Sequence, residues 1–205
     1  MRSFTREDIL AAVVVVALGA PLAYGLASAF ADGQTRSHEI PLRALLGDDD
    51  FERLRRGDPT DVHYLGNDRL VPDFELEDQD GQTFRMSETR GRVVVLNFWT
   101  VTCGPCLEEM PSLVELARIF EGRRDVELVT ISTDRTWDDV RTVIPPGTRL
   151  RVLLDPDRSV VRGQFGTRMF PETWIIDRRG VIRMRIDGAR PWSSAIAVDA
   201  IESFL

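Results

Sequence analysis

Seven consecutive residues, Val93 to Trp99, read VVVLNFW, an almost unbroken apolar run rich in β-branched side chains. Such a run has no polar face to offer water, so it predicts a strand covered on both sides, at the centre of a sheet. Soon afterwards the pattern turns helical: Met110, Leu113, Val114, Ala117 and Phe120 fall on one stripe that ends near Gly122. The tetrapeptide Cys103-Gly104-Pro105-Cys106 stands between the two patterns, at a strand-to-helix junction.

The alternation continues on both sides of this unit. Phe74 and Leu76, the Asp80-Gly81 turn and Thr83-Phe84 read as a small hairpin, with a helical turn starting at Ser87 or Thr89. Downstream, Val126 to Ile131 is a strand. Trp137, Val140 and Ile144 mark a helix face cut off by Pro145-Pro146-Gly147, and Leu150 to Leu154 is another strand. Ser159 to Phe165 is read as a short helix. Thr173 to Ile176 and Val181 to Ile186 are strands joined by a turn at Arg178 to Gly180, and Ala197, Ile201, Phe204 and Leu205 give a closing helix its apolar face.

Residues 71–205 thus form one α/β domain. Ahead of it, Ile9 to Ala31 carries no charge; at ~1.5 Å per residue a helix of this length crosses a bilayer core of about 30 Å. With Arg2 and Arg6 before it, the positive-inside rule keeps residues 1–8 cytoplasmic, makes 9–31 a transmembrane signal anchor and sends the rest outside. Ala29-Phe30-Ala31 also fits a cleavage site, a reading that puts the domain outside as well. Residues 32–70 are a polar linker or wrapping segment, and His38 and His63 within it are read as solvated. The net charge of −7 argues against a nucleic-acid partner, which needs a concentrated basic face.

Only two cysteines occur, so their pairing has a local explanation. The positive end of a helix favours the thiolate of Cys103, whose pKa falls from about 8.5 towards about 7 or lower. Cys106, one turn inward, is the resolving thiol. Pro105 costs little in a first turn, where its missing N–H has no partner. Zinc needs four nitrogen or sulfur ligands, against two cysteines and two remote histidines here. Covalent haem needs His after the second Cys, where Leu107 stands. A purely structural disulfide inside one helical turn closes too small a loop to add much stability. The residues require no cofactor.

Four runs extend the pattern: Val71-Pro72-Asp73-Phe74 with Asp80-Gly81, Asn97-Phe98-Trp99, Glu109-Met110-Pro111, and Phe170-Pro171-Glu172-Thr173 leading to Asp177. Together they resemble the thioredoxin-like TlpA/ResA family of membrane-anchored thiol-disulfide oxidoreductases, and Phe170 to Thr173 is closest to the cytochrome c maturation reductases. The resemblance implies a thioredoxin fold, a central mixed β-sheet flanked by helices, here with an N-terminal hairpin extension and a transmembrane helix. It implies a cis bond before Pro171 and sets Pro171 beside Cys103. It puts Gly104, Pro105, Phe170 and Thr173 on the substrate-docking surface and counts Trp99, packed under the cysteines, with them.

Glu109 lies three residues beyond Cys106 on the same helix face and matches the acidic residue such proteins hold near their cysteines. Thioredoxins proper carry Asp where Asn97 stands, so Glu109 is the candidate for tuning Cys106 and exchanging its proton. Thr102 departs from the pattern, since relatives usually have Trp there.

The implied activity is reduction of disulfides in exported proteins, apocytochrome c among them, outside the bacterial inner membrane, with a membrane thiol donor recharging the dithiol. The Cys-Gly-Pro-Cys context goes with potentials of about −270 mV rather than about −120 mV, which favours donation. Two alternatives share parts of the pattern. A peroxiredoxin-like peroxidase needs Pro-x-x-x-Thr/Ser-x-x-Cys; Thr100 fits, but Leu96 stands in place of the Pro. A Sco-type copper-handling protein uses Cys-x-x-x-Cys with a distal His, and no His follows His63.

Overall fold

The computed structural model of this chain describes residues 69–205 together with Ile40, Arg43 and Glu52. Two units are distinguished, Met1–Pro41 and Leu42–Leu205; of the first, Ile40 is described, helical and exposed. The expected segments 1–8 and 9–31, and nearly all of 32–70, lie outside the described residues. Among the described residues no helix is long and apolar enough to cross a membrane.

The elements run β1 (Glu75–Glu77), β2 (Thr83–Arg85), a 3-10 turn (Met86–Thr89), β3 (Val93–Trp99), α1 (Gly104–Ile119), β4 (Val126–Ser132), α2 (Trp137–Arg141), β5 (Arg151–Leu154), β6 (Glu172–Ile176), β7 (Ile182–Asp187) and α3 (Ala195–Glu202). Strands β1 and β2 form the expected hairpin. The other five make a mixed sheet in the order β5-β4-β3-β6-β7. Within it β3, β4 and β5 are parallel, β6 runs antiparallel to β3, and β7 antiparallel to β6.

Every residue of β3 is buried, as its composition requires of a central strand. Strand alternation divides its side chains between two cores. Val93, Val95 and Trp99 pack with Met110, Leu113 and Leu116 of α1 and with Ala197, Ala200 and Ile201 of α3. Val94, Leu96 and Phe98 pack on the opposite face with Phe74, Phe84, Val160, Val161 and Phe165. The sheet edges are covered in part by the chain itself: Gln79 donates its N–H to Val152 O at 3.1 Å and accepts the Val152 N–H at 2.8 Å beside β5. At the start of β7, Leu70 bridges Val181.

Two expectations need correction. The face at Trp137, Val140 and Ile144 is helical only over Trp137–Arg141, started by a capping box between Thr136 and Asp139, and Ile144 continues it through a single bond to Val140 O. The segment Ser159 to Phe165 is a series of turns rather than a helix. Arg158 enters it at φ 60°, and the N–H groups of Gly163 and Phe165 reach back five residues to Arg158 O and Val160 O. The Asp155 carboxylate accepts the N–H of Val160 at 3.2 Å and of Val161 at 2.8 Å, which fixes the start of the segment. Its apolar residues serve the sheet instead of a helical stripe: Phe165 meets Phe74, Phe98 and Trp174 edge-on, with centroids 6.0, 5.0 and 5.3 Å away.

Gly163 is what lets these turns close, because a Cβ there would lie 2.2 Å from Ser159 O. Gly163→Ala is therefore expected to lower unfolding stability by roughly 1–3 kcal/mol, read from urea titration, through displacement of backbone from the Phe165 contacts.

Candidate active site

The two cysteines sit where β3 delivers the chain to α1. Cys103 is the N-cap of α1, and its Sγ accepts the N–H of Cys106 at 3.2 Å. The sulfurs are bonded to each other, with the Cα atoms 5.3 Å apart. Cys103 is half-buried and Cys106 fully buried, so one sulfur is open to a partner and the other is not. Gly104 and Pro105 are exposed beside them. The arrangement can break and reform one S–S bond at the positive end of a 16-residue helix.

The loop from β3 to Cys103 is held from β4. Asp134, buried just past the end of β4, accepts Thr100 Oγ1–H at 2.6 Å, the Val101 N–H at 3.0 Å and Ser132 Oγ–H at 2.7 Å. The Cys103 N–H then closes a turn onto Thr100 O at 3.1 Å. Asp134 was not singled out in the sequence. The available signal was its place at the C-terminal end of a parallel strand next to β3, the end at which open α/β sheets build their sites.

One turn beyond Cys106 along α1, Glu109 belongs to a buried polar cluster. Asn97, in register with Thr173 of β6, donates from Nδ2 to Glu109 Oε1 at 2.8 Å and to Thr173 Oγ1 at 2.9 Å. Glu109 Oε2 accepts Trp192 Nε1–H at 3.0 Å and the Arg190 N–H at 3.1 Å. Burial pushes the Glu109 carboxyl above its ordinary value of 4.5, against the lowering effect of the bonds from Trp192, Asn97 and the Arg190 backbone. Among the described residues, Asn97 Oδ1 and Trp99 Nε1 are buried without a hydrogen-bond partner in this disulfide form. The part played by Trp192 was invisible in sequence, since it meets Glu109 across 83 positions.

The peptide bond between Phe170 and Pro171 is cis, as the resemblance implied. Phe170 is half-buried and packs against both cores, and Met169 before it is 76% exposed. Two residues counted with the docking surface are buried. Thr173 is buried with its hydroxyl on Asn97, and β6 pairs there with strands on both sides, to Asn97 and to Ile186. Trp99 is fully buried in the core under α1. Glu172, the residue before Thr173, is buried too, accepting Trp174 Nε1–H at 2.6 Å and Arg185 Nη2–H at 2.7 Å.

Residues 68–185 match the AhpC/TSA family. The thiol-disulfide oxidoreductase ResA of Geobacillus thermodenitrificans is 31% identical over 119 residues, covering 58% of this chain and 67% of that protein. ResA of Bacillus subtilis is 30% identical over 119 residues, covering 58% and 65%. Among solved structures, a Chlorobium tepidum protein described as a thiol:disulfide interchange protein DsbE superimposes with a TM-score of 0.59 at 24% identity, over 68% of this chain and 98% of that one, a likeness of fold. The exposed lipoprotein thioredoxin of Streptococcus pneumoniae gives a TM-score of 0.50 at 28% identity, over 58% and 91%.

Asp134→Ala leaves two buried hydroxyls and the Val101 N–H short of an acceptor; it is expected to cost about 1–3 kcal/mol in urea unfolding and to raise the rate at which Cys103 of the reduced protein is alkylated. For Glu109 the folded protein binds the proton more tightly than the unfolded chain does. The stability tied to that proton is present below the ordinary 4.5 and is lost as pH rises through the raised value. Unfolding free energy measured across this window should therefore fall less steeply with rising pH in Glu109→Gln than in the parent chain; identical slopes would remove Glu109 as the titrating group.

Proposed function

Because this chain belongs to the AhpC/TSA family, with the ResA thiol-disulfide oxidoreductases among its relatives, it is read as a thiol-disulfide oxidoreductase, and we propose that it donates electrons to disulfides of exported proteins, apocytochrome c among them. The observation that carries this reading is the asymmetric cysteine pair at the head of α1, with Cys103 half-buried and Cys106 enclosed.

The cycle starts from the dithiol. The Cys103 thiolate, favoured by the N-terminal N–H groups of α1, attacks one sulfur of a substrate disulfide; the other leaves as a thiolate and takes a proton from water. Cys106 then gives its proton to Glu109 and attacks Cys103 Sγ. The mixed disulfide breaks, the second substrate sulfur leaves as a thiolate, and the Cys103–Cys106 bond forms. Two electrons have passed from enzyme to substrate, and a membrane dithiol donor restores them in the reverse exchange. Asn97, with its free Oδ1, offers an acceptor in the same buried layer while Cys106 carries its hydrogen. Gly104, Pro105, Phe170 and Pro171 are the surface against which the substrate chain lies.

In this reading residues 71–205 are the working domain, held outside the bacterial inner membrane by the apolar segment 9–31 and joined to it through 32–70. A raised Glu109 carboxyl suits proton exchange closer to neutral pH than an ordinary carboxylate allows.

Cys106→Ala stops the second step. It should accumulate partner proteins as mixed disulfides on Cys103, resolved on non-reducing gels and absent when Cys103→Ser is added. Alkylation of thiols in intact cells should find the wild-type pair mainly as dithiol. A steady-state disulfide, or adducts that survive loss of Cys103, would overturn the proposed direction or the proposed nucleophile respectively.

A further inference from the structure

Next to the cis-proline loop lies a small cavity of about 180 Å³ lined by Arg158, Val161, Arg162, Thr167, Arg168 and Phe170. Its three arginines are exposed, and no carboxylate lines the cavity with them. Arg118, Arg123, Arg141 and Arg151, by contrast, each meet an acidic side chain. Arg158, Arg162 and Arg168 form no ion pair or side-chain hydrogen bond among the described residues.

Their placement is also enforced. The bond from Arg162 N–H to Arg158 O stacks two like charges one turn apart, an arrangement that costs stability when nothing opposite in sign lies between them. The backbone under Arg158 is in the left-handed region at φ 60°. Of the acids nearby in sequence, Asp155 is buried on the N–H groups of Val160 and Val161, Glu172 is buried with Arg185, and the exposed Asp157 accepts the Ser159 N–H at 3.0 Å; none of them lines the cavity. A concentrated cationic spot thus persists on a chain whose net charge is −7.

Phe170 ties this spot to the docking surface proposed above, because it lines the cavity and immediately precedes the cis Pro171. We propose that Arg158, Arg162 and Arg168 dock an acidic segment of the polypeptide whose disulfide Cys103 attacks. This rests on the oxidoreductase reading and adds a substrate preference to it. Guanidinium forks match carboxylates in pairs, and the apolar floor of Val161 and Phe170 keeps water from one side of the contact.

The test compares two synthetic peptides carrying the same disulfide, one flanked by three Asp and the other by three Asn, reduced by the full chain in neutral detergent. Hydroxyethyl disulfide serves as an uncharged small substrate. The wild type, first reduced and freed of reductant, should reduce the Asp peptide in a single turnover with a second-order rate constant about tenfold above that for the Asn peptide at low salt, converging as salt rises. Arg162→Glu with Arg168→Glu should reverse the order, Arg162→Lys with Arg168→Lys should keep most of it, and hydroxyethyl disulfide should be reduced equally by all three. Equal turnover of the two peptides by wild type, or a preference untouched by charge reversal, overturns the docking proposal while leaving the oxidoreductase reading intact. So does arginine-dependent binding to phosphatidylglycerol vesicles without a peptide preference. If hydroxyethyl disulfide itself is not reduced, the oxidoreductase reading fails, and the docking proposal with it.

Discussion

The Asn97 amide is the tie on which the site depends. From the middle of β3 it reaches Glu109 on α1 and Thr173 on β6, so helix, central strand and the strand after the cis-proline are fixed to one another by one side chain. Glu109 passes the tie on to Trp192 and the Arg190 backbone ahead of α3. Buried polar groups are costly unless partnered, and partners with set directions leave the surrounding elements little freedom to slide. The helix that carries the disulfide is therefore tied to the sheet, a turn beyond Cys106, by polar bonds of set direction.

Two independent anchors then aim the reactive sulfur. Asp134 binds the strand-to-helix loop from the side, and the first turn of α1 holds Cys103 Sγ through the Cys106 N–H. Both are short-range, charge-assisted or backbone contacts. Gly104, Pro105 and Met169 are exposed and uncharged, Phe170 is half-buried and Pro171 is buried behind them. Arg158, Arg162 and Arg168 gather around the cavity that Phe170 lines.

Much of this was legible from residue pattern. The β3 run, the α1 stripe and the cysteine junction follow from hydrophobic period alone, and the hairpin follows from Asp80-Gly81. The cis bond at Pro171 came from family resemblance, since composition carries no trace of it. What stayed hidden depends on contacts far apart in sequence. Trp192 and Asp134 acquire their meaning only once Glu109 and Thr100 are opposite them. Thr173 was counted with the docking surface on family resemblance, yet pairing of β6 on both sides and its bond to Asn97 hold it inward, while Trp99 is buried, as a residue packed under the cysteines should be. Val160, Val161 and Phe165 have helix-like spacing, but Asp155 and the bonds reaching back five residues to Arg158 and Val160 coil the segment more loosely.

The covering of the sheet margins bears on how another polypeptide can approach. Beside β5 the Gln79 backbone and side chain already occupy Val152, and along β7 the residues Arg183, Arg185 and Asp187 alternate with buried ones. A visitor that tried to extend the sheet as an extra strand would meet taken positions on one flank and a row of charges on the other. Copies crowded together are kept from zipping into fibres by the same means.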